Sequence, residues 1–275
     1  MISKEKKAKE KLLSGIISIA VTIVTMGIFL GFWLWNNREP GADELLAGIS
    51  KTPYRTGTYY ETIATQRDVW VDNSMKTVYT TISENYTVET GRNAVHMSGS
   101  LNTDMQLGYY LTETAIESYK TMDPEKHEET IYRYNEEDGN WYKASVSVDA
   151  AEERRMKDGD GLELFGTENM EDISCVDIGP AISVSGTVSG DNFYKEVGKY
   201  LNVDEYLVYG GSAQKEFLFD PSTKELMSVE ISLSDGAMVD GARLSELIIR
   251  YKVQDSSSEG KISVSENALK AKEVS

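Results

Sequence analysis

The chain has one cysteine, Cys175, two histidines, His96 and His127, and only 28 basic residues against 45 acidic ones in a length of 275. A lone cysteine excludes a disulfide within the chain. With no CxxC partner and no placed base it offers neither a thiolate metal site nor an activated nucleophile, and it reads as a buried or inert thiol. The histidines lack HExxH-type spacing. His96 sits on the strand parity opposite Val95 and Met97, His127 lies in a charged run, and both read as surface histidines. The net charge of −17 excludes a general nucleic-acid binder, because neutralising phosphates takes a surplus of Lys and Arg. No phosphate loop and no dinucleotide fingerprint occurs. Asp158-Gly-Asp160-Gly-Leu-Glu163 has some acidic spacing of a calcium loop, yet Glu163 stands where glycine is needed, so a flexible acidic turn is expected. Asn85-Tyr-Thr87 fits a glycosylation acceptor, a pattern common by chance. We therefore assign no catalytic, cofactor-binding or metal residues and expect a non-enzymatic protein.

The charge that is present is unevenly placed. Residues 1–11 hold five lysines against Glu5 and Glu10, a balance of +3, so the remainder carries −20. From Leu12 to Asn37 nothing is charged, and Leu13, Ile16, Ile19, Val21, Ile23, Ile28, Phe29, Leu30, Phe32, Trp33 and Trp35 make the stretch apolar all round. About 23 such residues reach about 35 Å as a helix, enough to cross a hydrocarbon core of about 30 Å. A cleaved signal peptide would have a shorter apolar run and a small-x-small site, which is missing here. No cysteine stands at the end of the run, and Cys175 is far away, which excludes lipoprotein processing. The reading is a basic cytoplasmic tail (1–11), a transmembrane helix (12–36), a linker (37–57) and an extracellular β-rich domain (58–275), oriented by the lysines. Within the linker, Asp43 can cap a brief amphipathic helix carrying Leu45, Leu46 and Ile49.

From Tyr59 onward apolar residues alternate with polar ones, the pattern of half-buried strands. Val78, Ile82, Tyr86 and Val88 share one parity. Val95, Met97 and Leu101 come next, then Leu107, Tyr109, Leu111 and Ala115, then Tyr142, Ala144 and Val146. Ile182, Val184 and Val188 make another run. Phe217 and Phe219 face Met227, Val229, Ile231 and Leu233 across a turn, and Leu247, Ile249, Tyr251 and Val253 extend the series. Ile262 and Val264 suggest a last strand after a loop at 254–260. Two helices interrupt this antiparallel meander, one capped by Asp149 and one after Asp191 that carries Phe193, Val197, Tyr200 and Leu201 on one face. The stretch 160–180 reads as loop. The fold class is a transmembrane helix plus an α+β domain with a curved, mostly antiparallel sheet, a half-open barrel with a few short helices on its concave side.

The order of Ile131-Tyr-Arg-Tyr134, Asn140-Trp-Tyr-Lys143, Ser185-Gly-Thr-Val188, Phe217-Leu-Phe-Asp-Pro-Ser-Thr-Lys-Glu-Leu226 and Ile262-Ser-Val-Ser-Glu-Asn-Ala-Leu-Lys270 resembles the LolA/LppX-like half-barrel superfamily. It is similar to Gram-positive surface lipoproteins of that fold over residues 58–272. Ser265 stands where those proteins commonly have proline, and a transmembrane anchor replaces their lipid-modified cysteine. The resemblance implies a curved sheet closed by helices around an apolar cavity. The expected function is a membrane-anchored extracellular binding or interaction domain for a hydrophobic ligand or an envelope protein. Besides the lipid bilayer through residues 12–36, its partner is that ligand or protein. A subunit of an envelope secretion or conjugation machine, similar to VirB-type scaffolds, is the alternative, and a hydrolase would need clustered acid and base residues in a cleft.

Overall fold

Alternating burial turns the chain into strands wherever the apolar parity persists, and turns of two to six residues fold most neighbouring strands back on each other. A computed structural model describes residues 40–105, 110–201 and 203–274. The expected membrane segment and its anchor residues, Leu13 to Trp35, lie outside the described residues. Among the described residues no helix is long and apolar enough to cross a membrane.

Helix α1 (Ala42–Ile49) precedes β1 (Tyr54–Val71), β2 (Ser74–Gly91), β3 (Ala94–Met105), β4 (Tyr110–Asp123), β5 (Glu128–Asn135) and β6 (Asn140–Ser147). Helix α2 (Ala150–Lys157) comes next, then β7 (Glu171–Asp177), β8 (Ile182–Ser189) and α3 (Asp191–Leu201). A 3-10 turn at Glu205–Leu207 leads to β9 (Val208–Tyr209), β10 (Ser212–Phe219), β11 (Leu226–Asp235), β12 (Met238–Val239) and β13 (Ala242–Ser257), and α4 (Glu266–Leu269) and β14 (Lys272–Glu273) come last. The strands form one sheet in the order β14-β6-β5-β4-β3-β2-β1-β13-β11-β10-β8-β7, with β12 joining β13 to β9. Every pairing is antiparallel except that of β14 with β6. β14 and β7 stand at its two edges, so this curved sheet is open. Asp72 and Asn73, both at positive φ, make the β1–β2 turn, the conformation that matches strand twist.

Burial marks the inner face. Val184, Val188, Phe217, Val229, Ile231, Ile249 and Tyr251 are fully buried there, and Phe193 and Val197 of α3 pack with them in one core. Asp149 caps α2 by accepting from the backbone N–H of Ala151 and Glu152 at 2.8 and 2.9 Å. Both helices form where the sequence places them.

Several local expectations change. The supposed spacer is part of the core: Leu45 and Ile49 of α1 are buried in it, and β1 already begins at Tyr54. A register shift between Leu218 and Phe219 turns Met227 outward and puts Leu226 inside instead. On β4 the inner parity belongs to Ile116, which pairs with Gly99, while Ala115 is exposed; Leu107 and Tyr109 lie outside the described residues. Ile82 and Val146 are exposed although their parity is right. The 160–180 stretch contains β7, and β13 runs to Ser257, so less of 254–260 is loop than expected. Ile262 and Val264 form no strand; α4 and the two-residue β14 come after them.

Candidate functional site

Two rows of side chains cross the inner face. Lys215, Ile231, Ile249, Glu61, Glu84 and Leu101 are successive cross-strand partners from β10 to β3. The adjacent row runs Phe217, Val229, Tyr251, Tyr59, Tyr86 and Gly99. The face is thus apolar toward β10 and becomes polar at β1 and β2. There two Tyr-x-Glu or Glu-x-Tyr pairs meet: the Tyr59 and Tyr86 rings stack with centroids 6.0 Å apart, and Glu61 stands opposite Glu84. The Tyr59 hydroxyl donates to the Glu61 carboxylate, and the Tyr86 hydroxyl bonds Glu84. Burial pushes the Glu61 pKa up to about 7, Glu84 adds to this, and the Tyr59 hydrogen bond opposes it. The sequence reading missed both carboxylates. Their signal was parity, since Glu61 shares the strand face of Tyr59 and Ile63.

The 160–170 loop lies against the same face, tied down by ions. Lys215 is fully buried and donates to Glu196 of α3 at 2.5 Å and to the Gly166 carbonyl at 2.7 Å, while Asn169 donates to the other Glu196 oxygen at 3.0 Å. Lys120 reaches Glu129 at 2.9 Å, Glu163 at 3.6 Å and Glu152 of α2 at 3.7 Å. Burial raises the Glu163 pKa, yet Lys199, Lys120 and Arg155 together hold it below its ordinary value. The acidic stretch expected as a flexible turn is therefore a fixed corner. Asp160 is buried, accepts from the backbone of Leu164 and Phe165 at 2.7 and 2.9 Å, and has its pKa pushed up to about 6 by burial.

The remaining sequence candidates separate. Cys175 is exposed on the edge strand β7, not buried. His96 is half-buried: its ring stacks on Tyr119 at 4.2 Å, with Nδ1 3.3 Å from Glu89 and Nε2 3.4 Å from Glu117. His127 is exposed and contacts Glu153. Among the described residues no group of three or more His, Cys, Asp or Glu side chains is placed to hold a metal ion. Asn85 is exposed on β2.

Among the grooves of the described residues, four have volumes of about 480, 630, 620 and 300 Å³, and Glu61 and Glu84 line none of these four. The interior is filled by the chain's own rings: Tyr59, Tyr86, Tyr251, Phe193 and Phe217 are all buried. The conspicuous free surface is the β1–β2 ribbon. Pairing to β13 ends at Gln66, the last pair with β3 is Thr80 with Met105, and among the described residues 67–71 and 74–79 pair with each other alone. On one side of that ribbon Trp70, 71% exposed, stands opposite Met75, 59% exposed, and Tyr79 is exposed opposite Gln66.

No family model matches the chain, and no curated protein matches it. One solved structure, a beta-barrel-like protein of a domain of unknown function, DUF1849, from Brucella abortus, aligns at 8% identity over 74% of this chain and 98% of that one, with a TM-score of 0.19. That likeness is too slight to carry an argument, so the fold rests on the strand pairing described above.

Proposed function

We propose that the folded unit, Ala42–Ser275, is a non-enzymatic interaction domain that engages an envelope protein and is held outside the cell by the apolar segment 12–36. The observation that carries the reading is the β1–β2 ribbon. A tryptophan and a methionine paired across two strands and left in water expose apolar surface that folding does not require, which is the mark of a contact surface. A hydrophobic ligand would need an enclosed apolar cavity of at least about 300 Å³, and the interior rings occupy the place where the half-barrel resemblance implies one. The acidic surface favours a partner with basic residues around its docking face.

A photo-crosslinking amino acid at position 70 of the full chain, expressed in its native membrane, tests this. We expect one discrete crosslinked protein from position 70 and none from position 223, in the β10–β11 turn. No adduct from the ribbon, or the same adducts from both positions, overturns the proposal.

A further inference from the structure

Arg55, Thr90 and Tyr251 are each 0% exposed and gather at the foot of β1, β2 and β13. Arg55 and Thr90 are cross-strand partners. Tyr251 belongs to the next row, but its ring leans over Gly57, where an added methyl carbon would meet Cε2 at 2.7 Å and Cζ at 3.0 Å. Gly57 lies two residues from Arg55 on the same strand face, so the hydroxyl end of the ring reaches the row of Arg55 and Thr90. Phe165 covers the group, its ring centroid 4.9 Å from Arg55 Cζ and 6.4 Å from the Tyr251 centroid.

The hydrogen bonding of this group does not close. Arg55 Nη2 donates to the Ile49 carbonyl and, at 3.5 Å, to the Thr52 hydroxyl. Its Nε and Nη1 are buried without a partner, and the buried Thr90 and Tyr251 hydroxyls have none but each other, a pair that still leaves one O–H free to donate. Buried polar groups are almost always satisfied, and a buried cation is costly without a counter-charge. Arg55 forms no ion pair among the described residues, and the carboxylate that acts on it, Asp160, already accepts from the backbone of Leu164 and Phe165. Every unpaired atom in the group can donate, one side chain is positive, and none of the three is a base at neutral pH. Such a donor set selects an anion.

We propose that Arg55, Thr90 and Tyr251 bind a small monovalent inorganic anion of the halide class, which neutralises the guanidinium and locks α1 and the 160–170 loop onto the sheet. The site differs from the ribbon and its existence does not depend on any partner. The test compares thermal unfolding of the detergent-solubilised full chain in sodium chloride, bromide and gluconate at equal ionic strength. We expect chloride and bromide to raise Tm saturably by about 3 °C over gluconate, and Tyr251→Phe and Thr90→Val each to shrink that difference. Crystals grown in bromide should show an anomalous peak among the three side chains. Equal Tm in all three salts, a halide effect unchanged in both variants, or density for water alone with no bromide signal overturns the proposal. The bromide measurement on the unaltered chain holds even if a variant fails to fold.

Discussion

Glu61 and Glu84 face each other in direct register across β1 and β2, each hydrogen-bonded by the tyrosine two residues away on its own strand. Two carboxylates so placed cannot both ionise cheaply. Burial, helped by Glu84, raises the Glu61 pKa from 4.5 to about 7. A carboxyl whose folded pKa is raised favours folding while it is protonated. That stability is fully present below pH 4.5 and is lost as pH rises through about 7. Glu61→Gln removes the titration. We expect it to be stabilising by up to about 3 kcal/mol at about pH 8 and close to neutral at about pH 4, read as urea unfolding of the full chain. A difference independent of pH would refute the assignment.

Lys215 and Glu196 form the other buried pair, joining β10 to α3. Removing one partner strands the other as an uncompensated charge. Lys215→Met should therefore cost about 3–5 kcal/mol, and Lys215→Met with Glu196→Leu should recover part of it, because both charges go together and what is left without its partner is neutral, the Gly166 carbonyl and the Asn169 amide. Chemical denaturation of the two variants distinguishes a charge effect from loss of packing, since packing loss would persist in the double variant.

Strand parity made most of the sheet legible in the sequence: Tyr86, Val88, Val184, Phe217, Val229 and Ile249 are all buried as their alternation requires. Parity failed where a bulge intervened, as at Met227, because one extra residue reverses every later side chain. It also failed where long-range cover decides burial, as at Ile82 and Val146. The site was largely illegible for a related reason. Parity puts Glu61, Glu84 and Lys215 on the inner face with Tyr59, Tyr86 and Phe217, but pairing is what brings strands distant in sequence into one row, and no local pattern encodes that partnership.

Two glycines should respond in opposite directions to alanine. At Gly57 the new methyl group would run into the Lys252 carbonyl and the Tyr251 ring, and the backbone cannot yield as a flexible side chain would. Gly57→Ala should destabilise by about 2 kcal/mol or more. At Gly48, inside α1, nothing among the described residues lies within 4 Å, so Gly48→Ala should stabilise by about 0.5–1 kcal/mol through helix propensity. Paired thermal melts check both signs.

Trp70 and Met75 lie outside the core, so replacing both with serine should change stability by less than about 0.5 kcal/mol. The same replacement should abolish the crosslink formed from a photoreactive residue at position 79 in the membrane. If stability falls sharply instead, the ribbon side chains serve the fold, not a partner.

Cys175 provides the test of orientation. It is the chain's single thiol, and it is exposed on β7, at an edge of the sheet. Exposure means that labelling needs no denaturant, so a membrane-impermeant maleimide reports which side of the bilayer the domain occupies. An apolar segment with lysines before it should leave those lysines in the cytoplasm and export the acidic domain on its other side. Intact cells should therefore label at Cys175, Cys175→Ser should abolish the signal, and lysis should add little. Labelling that appears only after lysis would place the acidic domain inside the cell and end the proposal of an extracellular partner, while leaving the halide site and the Glu61 titration to stand on their own measurements.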